Sequence, residues 1–219
     1  DVILCLRSSE LAVLAISAKT GAQIETLKLW RNLNERNKPR AIFITKMEEG
    51  QPFDDLLVDI KTKLDMDAIP FTLPLFEGEV YKGVIDVLSG KAWLAKNEGL
   101  EEESELPAEY ADALAAAKET IAEAAAEGDD DLMNKYLEEG ELSDDEILVG
   151  LQKALQENKI LPLFCGSALQ NSGLHSFLNF VVQAGPDPTS AYELVVDKEG
   201  QTSKVMIDKE EVLEVINEI

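Results

Sequence analysis

The sequence predicts an α/β protein with a mainly parallel sheet into which a smaller α+β segment is inserted. Short apolar runs alternate with helical stripes through the first third of the chain. Strand-and-turn signals, then acidic helices, occupy the middle. The strand–helix alternation returns after residue 158. Alternation of this kind is the signature of a parallel sheet covered by its crossover helices.

Taken in order, "LAVLAIS" (Leu11 to Ser17) is continuous, short and apolar, and reads as a buried strand with Gly21 soon after it. Residues 22–36 follow as a helix with Ile24, Leu27, Trp30 and Leu33 along one side. "AIFIT" (Ala41 to Thr45) is the next strand. Phe53, Leu56, Leu57, Ile60 and Leu64 then fall at i, i+3, i+4, i+7 and i+11, a core-facing helical stripe.

After Pro70 the pattern changes. "IPFTLPLFEG" and "YKGVIDVLSGKAWL" read as antiparallel strands turning at Glu77-Gly78 and Ser89-Gly90. The acidic run "NEGLEEESEL" (Asn97 to Leu106) reads as a solvated, mobile loop. From Leu106 to Asn158 the chain is helical, with Tyr110, Leu114, Ala117 and Ile121 on one face. Asp129, Asp130 and Asp131 suit the positive end of a helix dipole, without any need for a metal. "SDDE" (Ser143 to Glu146) is a capping-box sequence, and Ile147, Leu151 and Leu155 follow on one face.

"KILPLFCGSA" is again a strand. Pro162 lacks the N–H a ladder needs, so the strand is assigned to a sheet edge. A helix carrying Leu174, Phe177, Leu178 and Val181 comes next. The C-terminal part reads as "YELVV", a "DKEG" turn, "SKVMI", and an acidic helix with Val212, Leu213 and Ile216. The expected division is 1–69 as a core, 70–158 as the insert, 159–187 as the returning core, and 188–219 as a C-terminal hairpin and helix.

Forty-three acidic against twenty basic residues leave a formal charge of −23, which repels nucleic-acid phosphate; no direct DNA or RNA clamp is expected. Solubility is the simplest reading of that charge. Cys5 and Cys165 lie far apart, and no signal peptide or membrane-length apolar run is visible. A reduced cytoplasmic compartment and no membrane contact follow as expectations. Cys165 reads as a packed strand end, and His175, the only histidine, has no carboxylate or cysteine cluster near it in sequence. No metal site is expected within the chain. Opening at Asp1 in the middle of an element suggests a fragment.

The stretch "RAIFITKMEEG" (Arg40 to Gly50) places Thr45, Lys46 and Glu48 at a strand end. A guanine base offers neighbouring N1–H and N2–H₂ donors, and one carboxylate can accept both in charge-assisted hydrogen bonds. A lysine two residues earlier can lay its methylene stem on the base face. "CGSALQNSG" (Cys165 to Gly173) has the same strand–loop–helix setting. Its small residues would let a backbone N–H approach the base carbonyl O6, while the Ser167 hydroxyl braces the carboxylate loop. A plain surface turn remains the alternative for "TKME" taken alone.

These two stretches resemble the guanine-recognition motifs of translational GTPases, usually Asn-Lys-x-Asp and Ser-Ala-Lys/Leu. "AISAKTGAQIETLKLWRNLNERNKPRAIFITKME", "LPLFEGEVYKGVIDVLSGKAW" and "LMNKYLEEGELSDDEILVGLQKAL" followed by "LPLFCGSA" are similar, in order, to elongation factor G or a paralogue of it. The resemblance covers roughly residues 1–187. It implies part of a P-loop GTPase-type sheet and an inserted subdomain. GTP or GDP would be bound through Thr45, Lys46, Glu48, Ser167, Ala168 and Leu169, with the Ala168 N–H at O6. It further implies a monomer acting on the ribosome, whose large-subunit stalk protein would meet the insert; the bland alternative is that the insert only caps the core. Thr45 stands where the family has Asn and Glu48 where it has Asp. Both changes alter reach at a bidentate site, and Thr45, like Ser17 for a frequent Asp, points to a divergent paralogue.

No G-x-x-x-x-G-K-S/T occurs. "SAKTG" (Ser17 to Gly21) lacks the first glycine, and Asp197 to Gly200 ("DKEG") falls too late to be a switch motif. The phosphate-binding and catalytic half, with its Mg²⁺, is therefore expected outside this sequence. The competing class is a non-enzymatic acidic interaction module without useful nucleotide affinity.

Overall fold

The computed structural model describes residues 2–7, 9–50, 52–96, 100–186, 192–196 and 202–206. They fall in two compact units, one of residues 11–185 and one made from residues 1–10 and 186–219. The smaller unit begins with a short helix, α1 (Val2–Arg7).

In the larger unit β1 (Ala12–Ser17), α2 (Ile24–Glu35), β2 (Arg40–Thr45), α3 (Phe53–Leu64) and β3 (Ile69–Pro70) alternate. Four further strands follow: β4 (Thr72–Glu77), β5 (Val80–Asp86), β6 (Lys91–Leu94) and β7 (Glu102–Ser104). Helices α4 (Ala111–Ala126), α5 (Asp130–Glu139) and α6 (Asp144–Gln156) precede β8 (Pro162–Cys165) and α7 (Leu174–Ala184). In the smaller unit β9 (Tyr192–Val196) and β10 (Thr202–Met206) pair antiparallel. The "DKEG" turn and the acidic helix expected around Val212, Leu213 and Ile216 lie outside the described residues.

The first sheet runs β1-β2-β8-β3 and its pairs are parallel. The second runs β4-β5-β6-β7 and is antiparallel, as its hairpin turns require. One apolar cluster joins both sheets. Phe71, at the junction between them, packs on Phe164 of β8 and Phe180 of α7 at ring distances of 5.5 and 4.9 Å. Ile85, Leu114, Ile121, Leu151 and Leu155 continue that cluster through the helices. On the other side of the unit, the Trp30 indole N–H donates to the Leu64 carbonyl at 3.0 Å, and the Arg40 guanidinium lies 4.2 Å over its ring.

Most expected elements are present, including the Ser143 capping box on α6 and Asp129 as the N-cap of α5. Several expectations need correction. β8 is interior, not an edge: Pro162 is its first residue, where a missing N–H costs no ladder bond, and β2 and β3 flank it. β1 is an edge strand with alternating burial, since Val13 and Ala15 are exposed while Ala12, Leu14 and Ile16 are buried. The stripe on α2 narrows to Trp30 and Leu33, and Ile24 is exposed because it sits in the opening turn. On α7 the covered face carries Ser176, Phe180 and Ala184; Leu174 and Leu178 face solvent. The stretch 97–106 is not simply a loop, because Glu102–Ser104 adds strand β7 beside β6.

Candidate functional site

β2 and β8 are neighbours and run parallel, with Ile44 opposite Cys165, so the chain leaves both at the same end of the sheet. Crevices beyond the carboxyl ends of parallel strands are where open α/β sheets bind ligands. Two hydrogen bonds tie the departing segments together: the Gly166 amide donates to the Ile44 carbonyl (2.9 Å), and the Met47 amide to the Gly166 carbonyl (3.2 Å). The structure thus brings residues 45–48 and 166–169 together.

The first loop turns sharply. Lys46 adopts the left-handed conformation (φ 64°, ψ 41°), which a β-carbon makes costly, and its side chain is left exposed. Met47 is buried and anchors the turn; Thr45 and Glu48 are half-buried. Oε2 of Glu48 is buried and has no hydrogen-bond partner among the described residues. An unsatisfied carboxylate oxygen removed from water costs stability, so the loop holds an acceptor waiting for donors.

The second loop is closed on itself. Ser167 is fully buried, and its amide and carbonyl exchange bonds of 3.0 and 2.8 Å with Ser172. Its hydroxyl accepts the Gln170 amide (3.1 Å). This corrects the expectation that the Ser167 hydroxyl braces the carboxylate loop; the backbone bond from Met47 to Gly166 makes that link. A β-carbon on Gly166 would stand 2.1 Å from the Ser172 carbonyl, so only glycine fits. Ala168 and Leu169 project outward, and the Ala168 amide donates to no group among the described residues.

Sequence reasoning missed three supports, two from the antiparallel sheet and one from Glu101 just before β7. The Thr72 hydroxyl accepts the Cys165 amide (2.8 Å), the Tyr81 and Ser172 hydroxyls share a hydrogen bond (2.9 Å), and the Glu101 carboxylate accepts the Gly173 and His175 amides (2.5 and 3.1 Å). Each joins residues far apart in the chain, so no local spacing announces it. Cys165 is a packed strand end, its thiol pushed up to about 12 by burial. His175 stacks on Trp93 at 3.9 Å. A cavity of about 510 Å³, lined in part by Trp93, Ile121, Ile147 and Phe180, includes no residue of 45–48 or 166–172.

"SAKTG" is the turn after β1: Gly21 has φ +62°, and Asp59 accepts the Ala22 amide (2.9 Å). No helix among the described residues is long and apolar enough to cross a membrane.

Helix-covered parallel strands with both loops at their carboxyl ends make an α/β domain of the GTPase type, and the family match places it in the class of translational GTPases. The family model of the elongation factor Tu GTP binding domain matches residues 1–187, and the chain belongs to that family. The motifs similar to elongation factor G lie within the matched span. A crystal structure of a protein from Thermus thermophilus is similar to this chain, with a TM-score of 0.79 and 29% identity; the match covers 90% of this chain and 31% of that one. The chain therefore spans about a third of that relative's length.

Proposed function

We propose that the chain is the base-reading part of an elongation factor G-type translational GTPase, a protein that binds guanine nucleotide and promotes translocation or a related ribosomal step. The observation that carries this reading is a buried Glu48 carboxylate oxygen without a partner among the described residues, in a loop bonded to the one that bears the exposed Ala168.

Glu48 would accept the N1–H and N2–H₂ donors of guanine, the Ala168 N–H would meet O6, and the Lys46 stem would lie on the base. Ser167 and Leu169 would shape the O6 loop, and Thr45 would support the turn. Adenine offers the reverse pattern and would leave both protein groups unpaired. Glu in place of Asp asks the carboxylate to retract by one methylene, which supports the divergent-paralogue reading. Phosphates and Mg²⁺ would be held by other parts of a longer protein, since this sequence has no G-x-x-x-x-G-K-S/T.

In this reading residues 1–69 and 159–187 belong to the GTP-binding core, 70–158 are its insert, and 188–219 lead onward. The acidic insert would meet the ribosomal stalk protein, in a cytoplasmic protein that is monomeric off the ribosome. Calorimetry with GDP and ADP on the full-length protein tests the proposal. Heat with GDP alone is expected; equal or absent heats would favour an acidic interaction module instead.

A further inference from the structure

We infer that Tyr81, on the antiparallel sheet, is a positioning residue for guanine recognition: it sets the 167–172 loop so that the Ala168 amide faces the base. The inference rests on the reading of that loop proposed above.

Within the loop, Ser167 and Ser172 close a two-bond bridge that fixes the backbone on both sides of Ala168. The Ser172 side chain is buried, and its hydroxyl meets the Tyr81 hydroxyl at 2.9 Å. Tyr81 is itself 4% exposed and packs edge-on against Phe76, with ring centroids 5.7 Å apart. Its ring is thus fixed by β4 and β5, and its hydroxyl reaches across to a loop of the other sheet. Burial holds the phenol well above its ordinary range, so it stays a neutral hydroxyl at working pH, able to donate to Ser172 or accept from it. A short way along the chain, Glu101 takes the Gly173 and His175 amides and anchors the start of α7. The loop is therefore gripped at Ser172 by the antiparallel sheet and at Gly173 by Glu101, the residue just before β7. In a dry setting a hydroxyl pair of this kind fixes geometry, because neither group has water to fall back on.

The consequence is specific to one edge of the base. Displacing the loop weakens what the Ala168 amide does at O6; Glu48 lies on the other turn, whose backbone is tied to Gly166 and not to residues 167–172. GDP and IDP share O6 and N1–H and differ in the 2-amino group; ADP lacks the O6 acceptor. Removing only the hydroxyl, by Tyr81→Phe in the full-length protein, should lower GDP and IDP affinity by the same factor, about fivefold, the equivalent of about 1 kcal/mol. ADP binding should not change, so discrimination between GDP and ADP narrows. The double variant Tyr81→Phe/Ser172→Ala should lose no more than the worse single one, because both act through one bond.

Unchanged GDP and IDP affinities in a Tyr81→Phe protein that merely melts earlier would overturn the inference, since the bond would then serve stability alone. A loss confined to GDP would overturn it as well, because it would place the effect at the 2-amino edge. If the unaltered protein binds no nucleotide, the proposed function fails and the loop is read directly by amide exchange. Exchange of the Ser167 and Ser172 amides about tenfold faster in Tyr81→Phe upholds the positioning role; unchanged exchange overturns it.

Discussion

The Met47 amide donates to the Gly166 carbonyl over 3.2 Å, and this bond joins two loops more than a hundred residues apart in sequence at the carboxyl end of the parallel sheet. It joins backbone to backbone, so it does not depend on which side chains the loops carry. The side chains at Thr45 and Glu48 can thus depart from the family pattern without separating the loops.

Glu48 should trade stability against function. Glu48→Ala removes a buried oxygen that has no partner among the described residues, and the nucleotide-free protein should be more stable by about 1 kcal/mol. GDP affinity should fall at least tenfold in the full-length protein. Urea denaturation and calorimetry read the two effects; a variant that is destabilised yet binds GDP normally would contradict both.

Helices α4 and α6 meet at glycines. A β-carbon on Gly150 would stand 2.2 Å from the Ala125 carbonyl, and one on Gly128 would stand 2.2 Å from the Gly150 carbonyl. Backbone cannot yield as a flexible side chain would, so Gly150→Ala should cost about 2 kcal/mol despite its better helix propensity. The midpoint of chemical denaturation checks this; a stabilised variant would mean that the helices slide apart freely.

Glu146 should make the packing of α5 on α6 acid-sensitive. The Lys135 ammonium (2.7 Å) and the Ser143 amide and hydroxyl (2.9 and 2.8 Å) hold its carboxyl down at about 2, against 4.5 for an ordinary glutamate. Between those values the unfolded chain binds the extra proton. The contribution is therefore complete above about pH 4.5 and is lost as pH falls towards 2. Thermal melts across that window should show a shallower pH dependence for Glu146→Gln than for the native sequence.

Cys165 should resist alkylation in the folded protein. It is fully buried, and its thiol is pushed up to about 12 from an ordinary 9.0. In a Cys5→Ser background, iodoacetamide at about pH 8 should label the chain only after denaturant is added. The same shift lowers stability from about pH 9 upward, because the unfolded chain releases a proton that the folded chain keeps until about 12. Rapid labelling of native protein would show that the strand end opens.

Much of this was legible in the chain. The stripe Leu56, Ile60 and Leu64 is buried as its spacing requires, and the Ser143 box caps α6. The strand ends carrying Thr45 to Glu48 and Ser167 to Leu169 were visible as polar tips on apolar runs. Less legible were faces and neighbours. Leu174 and Leu178 fit a helical stripe as well as Phe180 does, but they point to solvent, because packing against Phe71 and Phe164 selects which side of α7 is covered.

By itself the sequence determined most of the elements, the Ser143 and Asp129 caps and the residue types that the two loops carry, since periodicity, capping and residue type act over a few neighbouring residues. Tertiary structure alone decided that β8 slots between β2 and β3, that Oε2 of Glu48 is buried without a partner among the described residues, and that Tyr81 reaches Ser172. These depend on contacts between segments far apart in the chain. Their selection by shared burial leaves no local pattern to read.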